Sequence, residues 1–200
     1  MAPAQEREKS SPDTEAGIGR LTYGWYKSGM TDTAPSEIQL NDGRRARVRP
    51  IHRGDEDLLY DAFSRMSERS VYLRFLSPLK QLPEETAHHL ADVDHYNRYA
   101  LLAVEGPPGR ERMLGVARYD RIGDSDTAEM AVAVPDDVQR QGIGAQLLSR
   151  IAEEARTQGI KQFMVLVLAE NRSMLGLLRK MGWIHQARAR GGAYEITFDV

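Results

Sequence analysis

The chain has 200 residues, 41% hydrophobic and 28% charged, enough for one globular domain with a short appendage. A net charge of −2 argues against a general nucleic-acid binder, and the absence of cysteine excludes a disulfide framework, a thiolate nucleophile and a thiolate metal site. The longest fully apolar run, Phe163 to Ala169, falls far short of the ~20 residues of a membrane span.

In chain order, residues 1–36 are expected to form a flexible N-terminal tail rich in Glu, Ser, Pro, Thr and Gly up to Arg20. Its start, "MAPAQEREKS", is charged and has no apolar h-region, so neither a signal peptide nor export is expected and a cytoplasmic location follows. Tyr23, Trp25 and Tyr26 either dock on the core as a strap or lid or act as a sticky linker. The domain is expected to span 37–200. Asn41-Asp42-Gly43 between two short extended runs predicts a hairpin. Arg45, Arg47 and Arg49 alternate on one strand face, read as a solvated face or as a patch for acidic groups on a partner. Helices are expected over Asp55–Met66, Ser70–Leu76 and Pro83–Val93. His88 and His89 are adjacent and point in different directions on a helix; no histidine shows metal-ligand spacing. Strands follow at Tyr99–Glu105, Met113–Ile122 and Ala128–Val134, separated by short Gly/Pro/Asp turns that predict antiparallel neighbours. An amphipathic helix from Gly142 to about Thr157 carries Ile143, Leu147, Leu148, Ile151, Ala152 and Ala155 on one stripe. "FMVLVL", Phe163 to Leu168, reads as a central strand covered on both faces. Met174, Leu177, Leu178 and Met181 make a last helical stripe, and Trp183–Arg188 and Tyr194–Val200 read as closing strands.

The informative stretch is "VQRQGIGAQLL", Val138 to Leu148. Two glycines precede a helix whose first turn has free N–H groups and a positive dipole end, a place that can hold phosphate. A dinucleotide-binding turn needs a third glycine where Leu147 stands, and a P-loop needs Gly-Lys-Ser/Thr where Gly144-Ala145-Gln146 stands. What remains is Gln139-x-x-Gly142-x-Gly144, leaving an apolar strand with an early Glu129.

This pattern resembles the acyl-CoA signature of the GNAT superfamily of N-acetyltransferases, Gln/Arg-x-x-Gly-x-Gly/Ala. The order after it matches too: a buried strand, then Asn171 ahead of a helix ending in "RKMGW". The resemblance covers about Arg47 to Val200. It implies an α/β (α+β) GNAT fold whose mixed, mostly antiparallel sheet of about six to seven strands is flanked by about four helices. It implies acetyl-CoA as co-substrate, without a metal. Gln139, Arg140, Gln141, Gly142, Ile143 and Gly144 would form the pyrophosphate loop, Val132 and Val134 would contact the pantetheine arm, and Asn171 with Ser173 would complete the cofactor site. Asn171 also reads as a helix N-cap.

Transfer to an amine requires the neutral amine, and a positioned carboxylate can take the proton. Glu129 is the lone charge in "AEMAVAV", where an inward carboxylate would be costly without a task or partner. The resemblance implies that it is the catalytic base; the alternative is a solvent-facing strand-start charge. The family's usual tyrosine acid is replaced by Leu178, leaving water, Ser173 or Tyr194 as proton donors. "SERSVYLRFLSPL" and "LAENRSMLGLLRKMGW" resemble catalytic domains of bacterial protein-lysine acetyltransferases that act on acetyl-CoA synthetase and related enzymes. A protein lysine is therefore the expected acceptor. The alternatives are a small-molecule amine acceptor or a CoA-binding regulatory module without turnover.

Overall fold

The computed structural model describes residues 36–184 and 186–200. The expected tail, with its aromatic cluster at Tyr23–Tyr26, lies outside the described residues except for Ser36, which opens the first strand. The hairpin turn at Asn41–Gly43 joins β1 (Ser36–Gln39) to β2 (Arg45–Pro50), with Gly43 at φ +89. Three short helices follow, α1 (Glu56–Ser64), α2 (Glu68–Phe75) and α3 (Glu84–Ala91). α2 starts earlier than its apolar pattern suggests because Ser67 caps it, accepting from Ser70 N. Leu76, at φ +56, ends it. Pro83 stands just outside α3, as its N-cap. A meander of β3 (Arg98–Glu105), β4 (Arg112–Arg121) and β5 (Thr127–Ala133) leads through a 3₁₀ turn at Asp136–Val138 into α4 (Ile143–Thr157). The chain closes with β6 (Gln162–Leu168), α5 (Arg172–Lys180), β7 (Gln186–Arg190) and β8 (Ala193–Asp199).

The strands form one sheet in the order β1-β2-β3-β4-β5-β6-β8-β7. Every pairing is antiparallel except β5–β6. The described residues thus hold 8 strands and five α-helices, above the expected six to seven and four, within the same fold class. Both arms of the N-terminal hairpin join the sheet, and β8 inserts between β6 and β7. The last hairpin starts later than expected, because Trp183 and Ile184 pack on the core instead; Trp183 stacks on Phe198 with ring centroids 4.8 Å apart.

The sheet is covered on both faces, as the alternation of β3 shows. Tyr99, Leu101 and Ala103 face the cluster built on α4, whereas Ala100, Leu102 and Val104 face the one built on α1 and α3. Leu147, Leu148 and Ile151 of α4 are fully buried, each contributing about 1.5–3 kcal/mol. β6 departs from its expected burial. Its residues alternate, and Leu166 is 39% exposed. The reason lies next door: β5 and β6 pair only from Thr127–Glu129 to Gln162–Met164. Beyond those residues the two strands no longer pair, and a groove opens where continuous sheet was expected.

The arginine face of β2 meets carboxylates of its own chain. Arg49 binds Asp55 at 2.8 Å and Glu111 at 2.6 Å, Arg47 binds Glu111 at 2.6 Å, and Arg45 reaches Glu37 at 3.2 Å. Asp55 and Glu111 are held below the usual carboxylate range by these guanidinium groups against the opposing effect of burial. The face is neither simply solvated nor free for a partner. Among the described residues no helix is long and apolar enough to cross a membrane.

Candidate active site

The groove begins where β5 runs out. After the 3₁₀ turn the backbone takes an unusual course: Gln139 is extended, Arg140 lies at φ +62 and Gly142 at φ +80. Alternation of hand across Arg140-Gln141-Gly142 makes a concave run of amides of the kind that binds anions. Gly142 is also the N-cap of α4, so the concavity continues into a helix start. Among the described residues no backbone N–H from Arg140 to Ala145 donates a hydrogen bond. Six amides at one helix start need an acceptor.

The loop is braced from the far side of the sheet by the β1–β2 turn. Asn41 N donates to Gln141 O at 3.1 Å and Asn41 Nδ2 to Arg140 O at 2.9 Å. Asp42 N donates to Gln141 Oε1 at 3.1 Å, and Gln146 Nε2 donates to Gln39 O at 2.9 Å. A second brace comes from α2. Asp136 accepts from Ser67 N, Ser67 Oγ and Ser70 Oγ, each at 2.9 Å.

The groove holds about 470 Å³ and is walled by β5, the loop, the splayed half of β6, α5 and α2. Of the expected residues, Glu129, Val132, Val134, Gln139, Arg140, Gly142, Ile143, Gly144, Asn171 and Ser173 line it. Gln141 does not: both its carbonyl and its side chain are turned to the hairpin. The Gln139 side chain is likewise engaged, donating to Val134 O at 3.1 Å. Gly144 keeps the wall low, since a Cβ there would project between Leu177, Val134 and Val132 at 3.5–3.9 Å. Asn171 is the N-cap of α5, its Oδ1 accepting from Met174 N at 3.0 Å, while its residue still borders the groove.

Glu129 sits at the other end of β5. It is exposed to the groove, not turned into the core. Its partner across the β4–β5 ladder is Asp120, whose carboxylate is taken by Arg98 at 2.9 Å and Arg118 at 3.0 Å. Arg118 is 4% exposed and the sole buried charged residue among those described. Leu178 is fully buried in the core, and the α5 residues that line the groove are Ser173, Met174, Leu177 and Lys180. Tyr194 packs against the core and does not line the groove; of the expected alternatives to the tyrosine acid, Ser173 does.

Two cations of the groove escaped sequence reading, Arg74 and Lys180. Arg74 of α2 lines the Glu129 end. Burial, with Arg118 adding to it, lowers its pKa to about 10, against the attraction of Glu129 and Asp120. It is hemmed in by protein yet still opens on the groove. No local signal marks it, since "YLRF" reads as one turn of an amphipathic helix.

Strands that splay beside a loop of unpaired amides, with a carboxylate along the same strand, define an α/β transferase of the acyl-carrying type. Residues 60–183 match the profile of the acetyltransferase (GNAT) family, and the chain belongs to that family and is an N-acetyltransferase. Family members draw their acetyl group from acetyl-CoA. The chain is 29% identical over 147 residues to an acetyltransferase of Pseudomonas aeruginosa, covering 74% of this chain and 79% of that one. It is 28% identical over 155 residues to the acetyltransferase Pat of Mycolicibacterium smegmatis, covering 76% of this chain but 46% of Pat. The crystal structure of the GNAT domain of S. lividans PAT superposes with a TM-score of 0.78 at 30% identity, covering 86% of this chain and all of that one.

Proposed function

We propose that the chain moves the acetyl group of acetyl-CoA to lysine side chains of protein acceptors, acyl-CoA synthetases such as acetyl-CoA synthetase among them, with Glu129 as the base. The catalytic unit is taken as residues 37–200, with 1–36 outside it. Likeness to the PAT domain supports the acceptor class, although the chain spans less than half of Pat itself.

The residues present fit acetyl-CoA at two points. The unpaired amides of Arg140 to Ala145 can donate to the pyrophosphate, and the low wall at Gly144 leaves room for the pantetheine arm beside Val132 and Val134. When bound, acetyl-CoA supplies an activated acyl group on a thiol leaving group of pKa about 8.5, by analogy with cysteine. The chain's own residues do the rest. Glu129 Oε1 or Oε2 accepts a proton from the lysine ammonium, which at neutral pH is otherwise almost wholly charged. Met130, Leu177 and Val165 give the groove apolar walls beside the acyl group. The neutral amine would form the new N–C bond to the acyl carbon as the C–S bond breaks, and the thiolate would take a proton from water or from Ser173, because Leu178 has none to give.

The observation that carries this reading is an exposed carboxylate on the strand that feeds the amide loop, in one continuous groove. Glu129→Gln should lower kcat/KM on a lysine peptide by roughly 10²–10⁴-fold at pH 7, with acetyl-CoA affinity nearly unchanged. Part of the loss should return at high pH, where more acceptor is already neutral. Full activity with an unchanged pH profile would reduce Glu129 to a strand-start charge. A second reading, transfer to a small amine, is favoured by one feature of the groove, the unpaired Arg74.

A further inference from the structure

Arg74 and Lys180 are groove cations that acetyl transfer leaves without a task, and Arg74 is the one set beside Glu129. Its guanidinium offers five N–H donors in a planar fork. Among the described residues it makes no hydrogen bond and no ion pair, and its one recorded close interaction is the Phe75 ring, 5.2 Å from Cζ to centroid. Other arginines facing the inner elements are satisfied: Arg49 by Asp55 and Glu111, Arg65 by Asp61 and Asp137, Arg98 and Arg118 by Asp120.

Charges of both signs act on Arg74, and none of them pairs with it. Arg118, Asp120 and Glu129 act on it from β4 and β5. Asp120 is already shared between Arg98 and Arg118. That leaves Glu129 as the carboxylate acting on Arg74 that is not already taken, and no ion pair joins the two. Of the other α2 residues that line the groove, Ser70, Leu73 and Leu76 bring no charge. With a pKa near 10 Arg74 stays protonated at neutral pH. A half-buried cation without an ion pair is unfavourable, and a ligand carboxylate on a planar fork is a good complement to it. The phosphates are not that ligand if they bind the amide loop. That loop follows the end of β5, and Glu129 lies four residues, about 13 Å of strand, before Ala133.

We propose that Arg74 receives a carboxylate carried by the acceptor close to its reacting amine. Resting on the acetyl-transfer reading of the groove, this sets the acceptor class: an amine with an acid group beside it. Glu129 meets the ammonium and Arg74 the carboxylate, so the acceptor end is complementary to a zwitterion. The carboxylate has two sources, the α-carboxylate of a free amino acid or an acidic side chain neighbouring a protein lysine. A small, mostly apolar cavity of about 40 Å³ adjoins the groove, the two sharing Met66, Arg74 and Ala133.

The test uses matched acceptors and the full chain. One pair is a lysine peptide flanked by Glu against the same peptide flanked by Gln; the other is a panel of free L-amino acids against their carboxamides. Both kcat/KM with acetyl-CoA and Kd by calorimetry on the CoA-loaded protein are measured. The acid member of at least one pair should be preferred by about 10-fold in both readouts; the pair that shows it identifies the source. Arg74→Gln should bring that preference to within about twofold without weakening acetyl-CoA binding, and Arg74→Lys should restore part of it. If Arg74→Gln does not fold, Arg74→Met, which keeps a stem among the apolar walls, carries the same comparison. No preference in the wild type, a preference that survives loss of the charge, or an equal loss for both members of a pair overturns the proposal. If no acceptor is turned over, the transfer reading fails by itself, and the binding ratio still decides the role of Arg74.

Discussion

The two ends of the groove are made of different materials. At the loop end the donors are backbone amides from one uninterrupted run, Arg140 to Ala145, presented by two left-handed residues and a helix start. At the Glu129 end the chemistry sits on side chains, Glu129 from β5 and Arg74 from α2. A backbone site depends on conformation, and conformation is controlled by residue type at single positions. A side-chain site depends on which elements pack together, and two segments distant in sequence must meet before it exists. The ends should therefore respond to different substitutions, and each response separates them.

Gly142→Asp should have the largest effect. Gly142 sits at φ +80, and a Cβ there would lie 3.3 Å from Asn41 Oδ1. Aspartate tolerates left-handed backbone better than most residues, so strain is the lesser part of the loss. The greater part is a carboxylate set against Asn41 Oδ1 and a bound phosphate. Acetyl-CoA affinity by calorimetry should fall by about 100-fold or more, roughly 2.7 kcal/mol. Acceptor affinity should not move. Unchanged acetyl-CoA binding in a variant with wild-type circular dichroism would remove the loop from the cofactor site.

Asn41→Ala tests whether the loop's shape is held from outside. Asn41 Nδ2 donates to Arg140 O at 2.9 Å, beside a non-glycine residue at φ +62 that costs about 1 kcal/mol to hold. Losing one such bond is worth about 1 kcal/mol. KM for acetyl-CoA should rise about fivefold, with kcat at saturation unchanged. A fall in kcat with KM intact would show that the hairpin acts on the acceptor end.

The same contrast explains what was legible in the sequence. Gly142 and Gly144 announce the loop because their residue type is the requirement, and the helix after them follows from its 3.6-residue stripe. The meander from β3 to β5 is readable because its turns are short. The splay of β5 from β6 is not: "FMVLVL" looks like a fully covered strand, and nothing within it says that its partner leaves after Met164. Arg45, Arg47 and Arg49 drew notice as an alternating run, yet Glu111, which binds two of them, is distant in sequence. Arg74 drew none, although its side chain makes no ion pair and it lines the groove. Pairing is a tertiary property, so periodicity flagged the satisfied arginines of β2 and passed over an unpaired one on α2. Gln141 failed for a related reason. The motif places it in the loop, but the hairpin that claims its side chain comes from the start of the domain.

The smallest expected effect belongs to the residue that joins the two ends. Asp136 lies in the turn that feeds the loop and accepts from Ser67 N, Ser67 Oγ and Ser70 Oγ, all at the start of α2. α2 carries Arg74, so this carboxylate ties the acceptor wall to the cofactor loop. Asp136→Asn keeps the size but replaces one acceptor oxygen with a donor, which turns an N–H or a hydroxyl away. Because the cluster is exposed, water restores much of the lost bonding and the cost stays small. KM for acetyl-CoA and KM for the acceptor should both rise, each by roughly two- to threefold. The signature is that they move together, whereas Gly142→Asp moves one and Arg74→Gln the other. Steady-state kinetics with each substrate varied at saturating levels of the other reads this directly. If only one KM moves in Asp136→Asn, α2 and the loop are independent supports, and the groove is two sites that share a strand rather than one held by a common brace.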